Sequence, residues 1–268
     1  MTSLMAWIAV DSRGPSALYF ASDSRISWGS SEKWDYGAKL FSVNNYPDIF
    51  GYCGDVLFPS QILSRVLTLA NLGGLYCKTD SPEEKFNKVK TLITSAFNSY
   101  PKEKPLPFTI LHGSRIGESN DCIFELRSLS WDSKNEFSSK DYSIPTTSGQ
   151  VVSLGTGKKV IDENNQVWQR SEIKNTSRSV YSAFCDTLRS HKDPCTGGAP
   201  QLVTIQRNSA SKPLGVIFEE QQYLCGLKID SIFNKSSFDW YNECFERCDS
   251  ETGLILLGAQ RQPRPRNI

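Results

Sequence analysis

A threonine stands at position 2, directly after Met1. A small residue in second place favours removal of the initiator methionine, which would leave Thr2 with both a hydroxyl and a free α-amine. Such a residue can act as nucleophile and base together: its oxygen attacks a carbonyl and its own amine takes the proton. The amine suits that task because its ordinary pKa, about 7.7 to 8.0, lies near operating pH. Many chains begin Met-Thr, so Thr2 alone carries little. The chemistry also needs a strand to hold the terminus, and a cation and carboxylates beside it.

Asp23 and Lys39 are the first candidates for those charges. Asp23-Ser24-Arg25 ends the second apolar run of the chain, and Lys39 follows Asp23 by 16 positions. An antiparallel return would carry Asp23 back toward residue 2. A lysine held there as a cation would favour the deprotonated form of a neighbouring hydroxyl. By composition alone, the plainer reading of both is a surface aspartate and a surface lysine.

The elements that must position these residues are legible as apolar runs and turn chemistry. Leu4 to Val10 and Ala17 to Ala21 read as a hairpin closed by Ser12-Arg13-Gly14-Pro15-Ser16. Lys39 to Val43 and Asp48 to Cys53 read as a second strand pair around Asn44-Asn45-Tyr46-Pro47. Ile62, Val66 and Leu69 share one helical face of Ser60 to Leu72, which Gly73-Gly74 stops. Ser81-Pro82-Glu83-Glu84 starts a helix running to about Tyr100, with a Ser cap, Pro at the first position and acids in the first turn. Strands are expected at Pro105 to His112, Cys122 to Trp131 and Val151 to Leu154, then helices at Lys158 to Arg170 and Lys174 to Arg189. Further strands are expected at Leu202 to Gln206, Gly215 to Phe218 and Tyr223 to Leu227, with a helix at Phe238 to Phe245 and a strand at Leu254 to Leu257. Antiparallel strands with helices in consecutive pairs argue against βαβ winding. The expected class is α+β, with two antiparallel sheets face to face and a helix pair on each outer side. No repeat or linker divides residues 1–268, so one domain is expected.

Composition narrows the function classes. The chain has 268 residues and a net charge of +1, so no global field recruits nucleic acid or a membrane surface. No window approaches about 20 apolar residues, and Met1 to Val10 lacks the basic region of a signal peptide. The eight scattered cysteines therefore read as reduced thiols in a cytoplasm. Cys244 and Cys248, spaced CxxxC on the expected last helix, have no second Cys or His pair nearby, so neither a metal nor any other cofactor is expected. Arg261, Arg264 and Arg266 alternate with prolines in a tail that reads as a solvated terminus, or else as a docking peptide.

Taken together, Thr2-Ser3-Leu4-Met5-Ala6-Trp7-Ile8-Ala9, Ala21-Ser22-Asp23-Ser24-Arg25 and Lys39-Leu40-Phe41 resemble proteasome β subunits and the bacterial HslV and Anbu proteins, N-terminal-nucleophile (Ntn) hydrolases. Thr2, Asp23 and Lys39 match that family's nucleophile, aspartate and lysine, with a first hairpin loop a few residues longer than usual. Gly51-Tyr52-Cys53-Gly54-Asp55 resembles the turn that supplies an oxyanion donor, which assigns that role to the Gly54 N–H. Such a donor is worth about 2.7 to 4 kcal/mol. Ser153-Leu154-Gly155-Thr156-Gly157 resembles the family's G-S-G, with Thr156 for Ser, and Asp193-Pro194-Cys195-Thr196-Gly197-Gly198 resembles its D-x-x-S-G-G, with Thr196 for Ser. Each match is short; their joint order across nearly 200 residues carries the resemblance, which covers about residues 2–230.

The resemblance implies a four-layer αββα sandwich and a threonine-type peptidase acting on peptide or unfolded protein through Thr2, with Asp23, Lys39, Asp193, Thr156 and Thr196 around it. It also implies a homo-oligomer, as a ring, spiral or stack, with room for a separate ATP-dependent unfoldase. Residues from about 230 to 268 exceed the family core and read as a packed C-terminal extension. Two rival readings keep the fold: an amidase acting on a small-molecule amide, and a non-catalytic scaffold that retains Met1. Lys33, in a polar run, competes with Lys39 but reads as exposed. His191 lacks a Gly-x-Ser-x-Gly elbow and reads as structural or surface, as does His112. Cys195 reads as a packing residue, Trp7 as core, and Gly155 to Lys159 fails the spacing of a Walker loop.

Overall fold

The computed structural model describes residues 2–28, 32–77, 79–101, 106–132, 134, 136–230, 233–261 and 264–265. The expected removal of Met1, and Arg266 of the tail, concern positions outside the described residues. The chain opens with β1 (Ser3–Asp11) and β2 (Gly14–Ser22), the short ribbon β3 (Ile26–Trp28) and β4 (Glu32–Trp34), then β5 (Leu40–Ser42) and β6 (Asp48–Gly54). Helices α1 (Leu57–Asn71) and α2 (Pro82–Asn98) precede β7 (Phe108–Ile116), β8 (Ile123–Trp131), β9 (Phe137–Tyr142) and β10 (Gly149–Gly155). Helices α3 (Lys158–Trp168) and α4 (Ser177–Ser190) lead to β11 (Gln201–Gln206), β12 (Lys212–Phe218), β13 (Gln221–Leu224) and β14 (Leu227–Lys228). Strands β15 (Trp240–Asn242) and β16 (Arg247–Cys248) lie toward the end.

The first sheet runs β10-β1-β2-β11-β12-β13-β14, and the second β5-β6-β7-β8-β9. Alternation along β1 explains how they stack. Leu4, Ala6 and Ile8 point one way and join Leu40, Ile49, Leu111 and Phe124 of the second sheet in a core between the sheets. Met5 and Trp7 point the other way and meet Ile161, Tyr181 and Phe184 of α3 and α4. On the far side, Phe50, Tyr52, Ile110 and Trp131 pack against Phe58, Val66, Phe86 and Phe97 of α1 and α2. The layers are therefore helices, sheet, sheet, helices, the αββα sandwich expected. Because the first part of β1 is buried on both faces, its run from Leu4 to Val10 is apolar; Leu4 to Ile8 are wholly inaccessible.

The local signals that set the helices are present. Glu84 N–H donates to Ser81 Oγ at 3.2 Å and Ser81 N–H to Glu84 Oε2 at 2.7 Å, a complete capping box at the start of α2. Thr176 caps α4 by accepting from Ser179 N–H at 3.1 Å.

The last stretch departs from expectation. Residues 238–245 do not form a helix: Trp240–Asn242 is a strand, paired in parallel with Gly215, Val216 and Ile217 of β12. Its aromatic spacing is helical, but tertiary pairing overrides it, since the Trp240 ring lies against Gly215, where a Cβ would overlap it. Strand β11 pairs with only the first half of β12, and β15 takes over its edge from Gly215 onward. The strand expected at Leu254 to Leu257 is a single bridge, Cys248 to Ile255, so Cys244 and Cys248 share no helix. The tail is not free in solvent at Arg264, whose guanidinium donates to Asp186 Oδ2 at 2.6 Å and lies over the Trp168 ring. No helix among the described residues is long and apolar enough to cross a membrane.

Candidate active site

Hairpin β1–β2 sets the first half of the site. Its register pairs Leu4 with Ser22, so the next residue outward brings Asp23 level with Ser3. Asp23 N–H donates to Ser3 O at 3.2 Å, and Ser3 N–H donates to Asp23 Oδ1 at 3.0 Å. The longer loop expected in this hairpin is not formed: Asp11 pairs with Gly14 across the two-residue turn Ser12-Arg13, and the extra length lies in the nine-residue strands, with a register shift between Ala9 and Val10 far from this end. Lys39 Nζ donates to the same oxygen, Asp23 Oδ1, at 2.7 Å, while Oδ2 accepts from Gly197 N–H at 3.0 Å and Arg25 N–H at 3.2 Å. Asp23 and Lys39 are both wholly inaccessible. A carboxylate in that setting is tolerable only with its acceptor positions filled, and four donors fill them. Burial pulls the Lys39 ammonium below its usual pKa, with Asp23 opposing that shift.

The second half comes from β10 and the segment after α4. Ser3 pairs with Gly155, which adopts φ +87° with its Cα against Thr2; a Cβ there would overlap the Thr2 carbonyl oxygen. The following Thr156 donates its hydroxyl to Asp193 Oδ2 at 2.6 Å, and Thr196 donates to the same oxygen at 2.7 Å. Asp193 Oδ1 accepts from Cys195 N–H at 3.1 Å, fixing the turn. Thr196 Oγ1 lies 2.7 Å from Ser3 Oγ. A ladder of hydroxyls and one carboxylate thus runs Thr156, Asp193, Thr196, Ser3, and a Cβ on Gly157 would overlap the Ser3 hydroxyl.

Thr2 sits where the two halves meet, buried and directly ahead of β1. Gly54 ends β6 at φ +96°, where a Cβ would overlap the Pro107 carbonyl, so no other residue fits. Cys53, just before it, faces Gly155 on the Thr2 side, and burial pushes its thiol up to about 11, leaving no thiolate to compete with a hydroxyl. The structure therefore gathers Thr2, Asp23, Lys39, Thr156, Asp193 and Thr196 at one end of β1, with Gly54 at the adjoining end of β6.

Two residues of this site had no role in the sequence reading. Ser3 joins its halves, its N–H on Asp23 and its hydroxyl on Thr196. The only trace of it in sequence is a hydroxyl residue directly ahead of the apolar run Leu4 to Val10. Arg25 forms a bidentate pair with Asp35, Nε at 2.7 Å and Nη2 at 2.9 Å, and donates from Nη1 to Thr196 O at 3.2 Å. It thereby ties the chain after Asp23 to the turn that carries Thr196. The hydrogen bond from Arg25 holds the Asp35 carboxyl below its usual range.

The competing candidates lie elsewhere. Lys33 is exposed on β4. His191 is exposed and ends α4 in a left-handed conformation, and His112 is buried on β7 against Asp48. Among the described residues no group of three His, Cys, Asp or Glu could hold a metal ion.

No family model matches the sequence, and no curated protein matches it. Solved structures share the fold. Anbu (ancestral beta-subunit) from Yersinia bercovieri is similar over 84% of this chain and 88% of its own, at 15% identity and a TM-score of 0.54. An Anbu mutant from Hyphomicrobium sp. strain MC1 is similar over 80% of this chain and 86% of its own, at 16% identity and a TM-score of 0.51. A eukaryotic HslV from Trypanosoma brucei aligns over 76% of this chain and 99% of its own, at 9% identity and a TM-score of 0.47. The fold is thus the one these two Anbu structures share, an αββα sandwich, as the layering indicated.

Proposed function

We propose that this chain, built on the Anbu fold, is a threonine-type N-terminal-nucleophile peptidase that cleaves peptide bonds through Thr2 once Met1 is removed. One observation carries the reading: a buried lysine–aspartate pair and a carboxylate–hydroxyl ladder both end on Ser3, the residue next to Thr2. Thr2 Oγ attacks the carbonyl carbon of the substrate, and its proton passes to the Thr2 α-amine. The Lys39 ammonium stabilises the developing alkoxide, and Asp23 holds that ammonium. The oxyanion of the tetrahedral intermediate is met by the Gly54 N–H. When the C–N bond breaks, the α-amine returns its proton to the leaving amine and an ester remains on Thr2. Water, activated by the same amine, then hydrolyses that ester. Asp193, with Thr156 and Thr196, orients the region of the amine.

In this reading residues 1–268 act as one domain, with a C-terminal extension from about residue 230. Its substrate is a peptide or an unfolded protein. The active form is a homo-oligomer in the cytoplasm, served by a separate ATP-dependent unfoldase. The eight free thiols are in keeping with a reducing compartment.

Intact mass spectrometry after incubation with a peptide epoxyketone or β-lactone tests the mechanism. The expected wild-type spectrum lacks Met1 and carries one adduct on Thr2, whereas Thr2→Ala stays folded, unmodified and without turnover. A wild-type chain that keeps Met1 and takes no adduct overturns the reading in favour of a scaffold. Hydrolysis of simple amides but not of fluorogenic peptides would narrow it to an amidase.

A further inference from the structure

Between Asp23 and Lys39 the chain leaves the core, forms the β3–β4 ribbon and returns. The ribbon has three residues in each strand and exposes Trp28 and Trp34 by about half. A two-stranded ribbon of that size is marginal on its own, so it cannot by itself hold its two ends in register. Yet Lys39 Nζ meets Asp23 Oδ1 at 2.7 Å. The Arg25–Asp35 pair ties the two sides of the ribbon through side chains, and a buried group at the base of the excursion bonds to both backbones.

That group is the side chain of Gln201, the first residue of β11, which is 1% exposed. Its Nε2 donates to Gly37 O at 2.7 Å, Ser24 Oγ at 3.1 Å and Asp23 O at 3.2 Å. Its Oε1 accepts from Lys39 N–H at 3.1 Å and Leu40 N–H at 3.4 Å. Acceptors gather at one end of the amide and donors at the other, so only one orientation of the group fits. Ser24 is itself held, donating its hydroxyl to Ala199 O at 2.6 Å, and Gly37 N–H donates to Ser24 O at 2.8 Å to close the base. We propose that Gln201 is the positioning residue of the Asp23–Lys39 pair, clamping the outgoing and returning backbone with one buried amide so that the ammonium is presented at the end of β1. The proposal deepens the Thr2 reading and rests on it for its catalytic consequence. A reacting group misplaced by about 1 Å costs on the order of a hundredfold in rate, and Gln201 is the side chain that holds the Lys39 N–H, while the Lys39 carbonyl accepts from Tyr52 N–H at 3.2 Å.

Two measurements on Gln201→Leu separate the clamp from the Thr2 reading. The first is hydrogen exchange by mass spectrometry, under conditions where wild type and variant are both folded. The expected result is at least tenfold faster exchange confined to residues 24–40, with β1, β2 and β6 unchanged; equal exchange there overturns the clamp whether or not Thr2 is a nucleophile. The second is the rate of Thr2 modification by a β-lactone as a function of pH. The expected result is a ten- to hundredfold fall, with the alkaline limb moved to lower pH, because an ammonium less well held by Asp23 loses its proton more readily. A merely structural role would lower the amount of folded protein and leave that limb in place, which would overturn the positioning role. Wild type that takes no adduct overturns the Thr2 reading, and exchange alone then judges the clamp. If Gln201→Leu does not fold, Gln201→Glu replaces it, since the carboxylate still accepts from Lys39 but cannot donate to Gly37 or Asp23. Faster exchange at 24–38 with Lys39 and Leu40 still protected supports the clamp, and unchanged exchange overturns it.

Discussion

Lys39 and Lys85 each bury an ammonium against an aspartate, at 2.7 Å from Asp23 and 2.8 Å from Asp48. The surroundings of the two pairs differ. Asp48 is served by side chains: Lys85 Nζ on Oδ2, and His112 Nε2 on Oδ1 at 2.8 Å. The Lys85 ammonium lies between the Tyr46 and Tyr76 rings, and His112 stacks on Phe50. Aromatic rings thus flank the pair where α2 packs on the second sheet. Asp23 instead receives backbone N–H groups from Ser3 across the hairpin, from Arg25 two residues on, and from Gly197, 174 residues away. Burial and charge pairing are common to both, so neither marks a reactive centre. The distinguishing feature is that one carboxylate gathers the backbone around the start of a strand, while the other fills a gap between a helix and a sheet.

Breaking each pair in the same way tests that distinction. Lys39→Met should lower turnover of a peptide substrate, counted per folded molecule, by about 10² to 10⁴, the range expected for a group acting on a proton or an oxyanion. An equal loss from Lys85→Met would erase the contrast. Lys85→Met should instead be felt as stability, about 3 to 5 kcal/mol by urea unfolding, because it leaves a buried carboxylate short of a partner, while β-lactone modification of the folded fraction proceeds at the wild-type rate. The smallest effect is acid sensitivity. Burial alone would raise the Asp48 carboxyl, but the hydrogen bond and charge of His112, with Lys85, outweigh it and hold it below its usual range. A carboxyl lowered in the folded state adds stability above its unfolded pKa of about 3.9 and loses it as pH falls through the folded value. Urea midpoints should therefore fall more steeply below about pH 4 in wild type than in Asp48→Asn, and parallel curves would show that Asp48 does not drive the acid limb.

How far the sequence disclosed these pairs follows from the range of each interaction. The β1–β2 hairpin joins residues about 20 apart, so turn chemistry and apolar runs bring Asp23 to Ser3. The capping box at Ser81 and Glu84 lies within four residues and is legible for the same reason. Lys85 and His112 meet Asp48 across 37 and 64 residues, with no local pattern to announce it. Gln201 reaches Lys39 across 162 residues from the start of an apolar strand, where a glutamine carries no signal. The exposed edge strand β9, with Ser138, Ser139, Lys140 and Asp141 outward, has too little apolar alternation to read as a strand. The helical spacing of residues 238–245 is real in one dimension and yields to the β12 edge in three. Asp193 and Thr196 were found only through the resemblance of their segment, because their partners Thr156 and Ser3 lie 37 and 193 positions away.

The placement of β1 between a neighbour made at once and a neighbour made much later has a consequence in time. Strand β2 follows β1 immediately, but Gly155 of β10 and the Gly197 amide on Asp23 come more than 150 residues afterwards. At roughly 5 to 20 residues per second, synthesis reaches Gly197 about 10 to 40 seconds after Thr2 has left the ribosome's catalytic centre. Through that interval the Asp23 carboxylate lacks one of its amides and Ser3 lacks Thr196. The residues of this hairpin made first are thus the last to be completed, because their pairing waits for the second half of the chain.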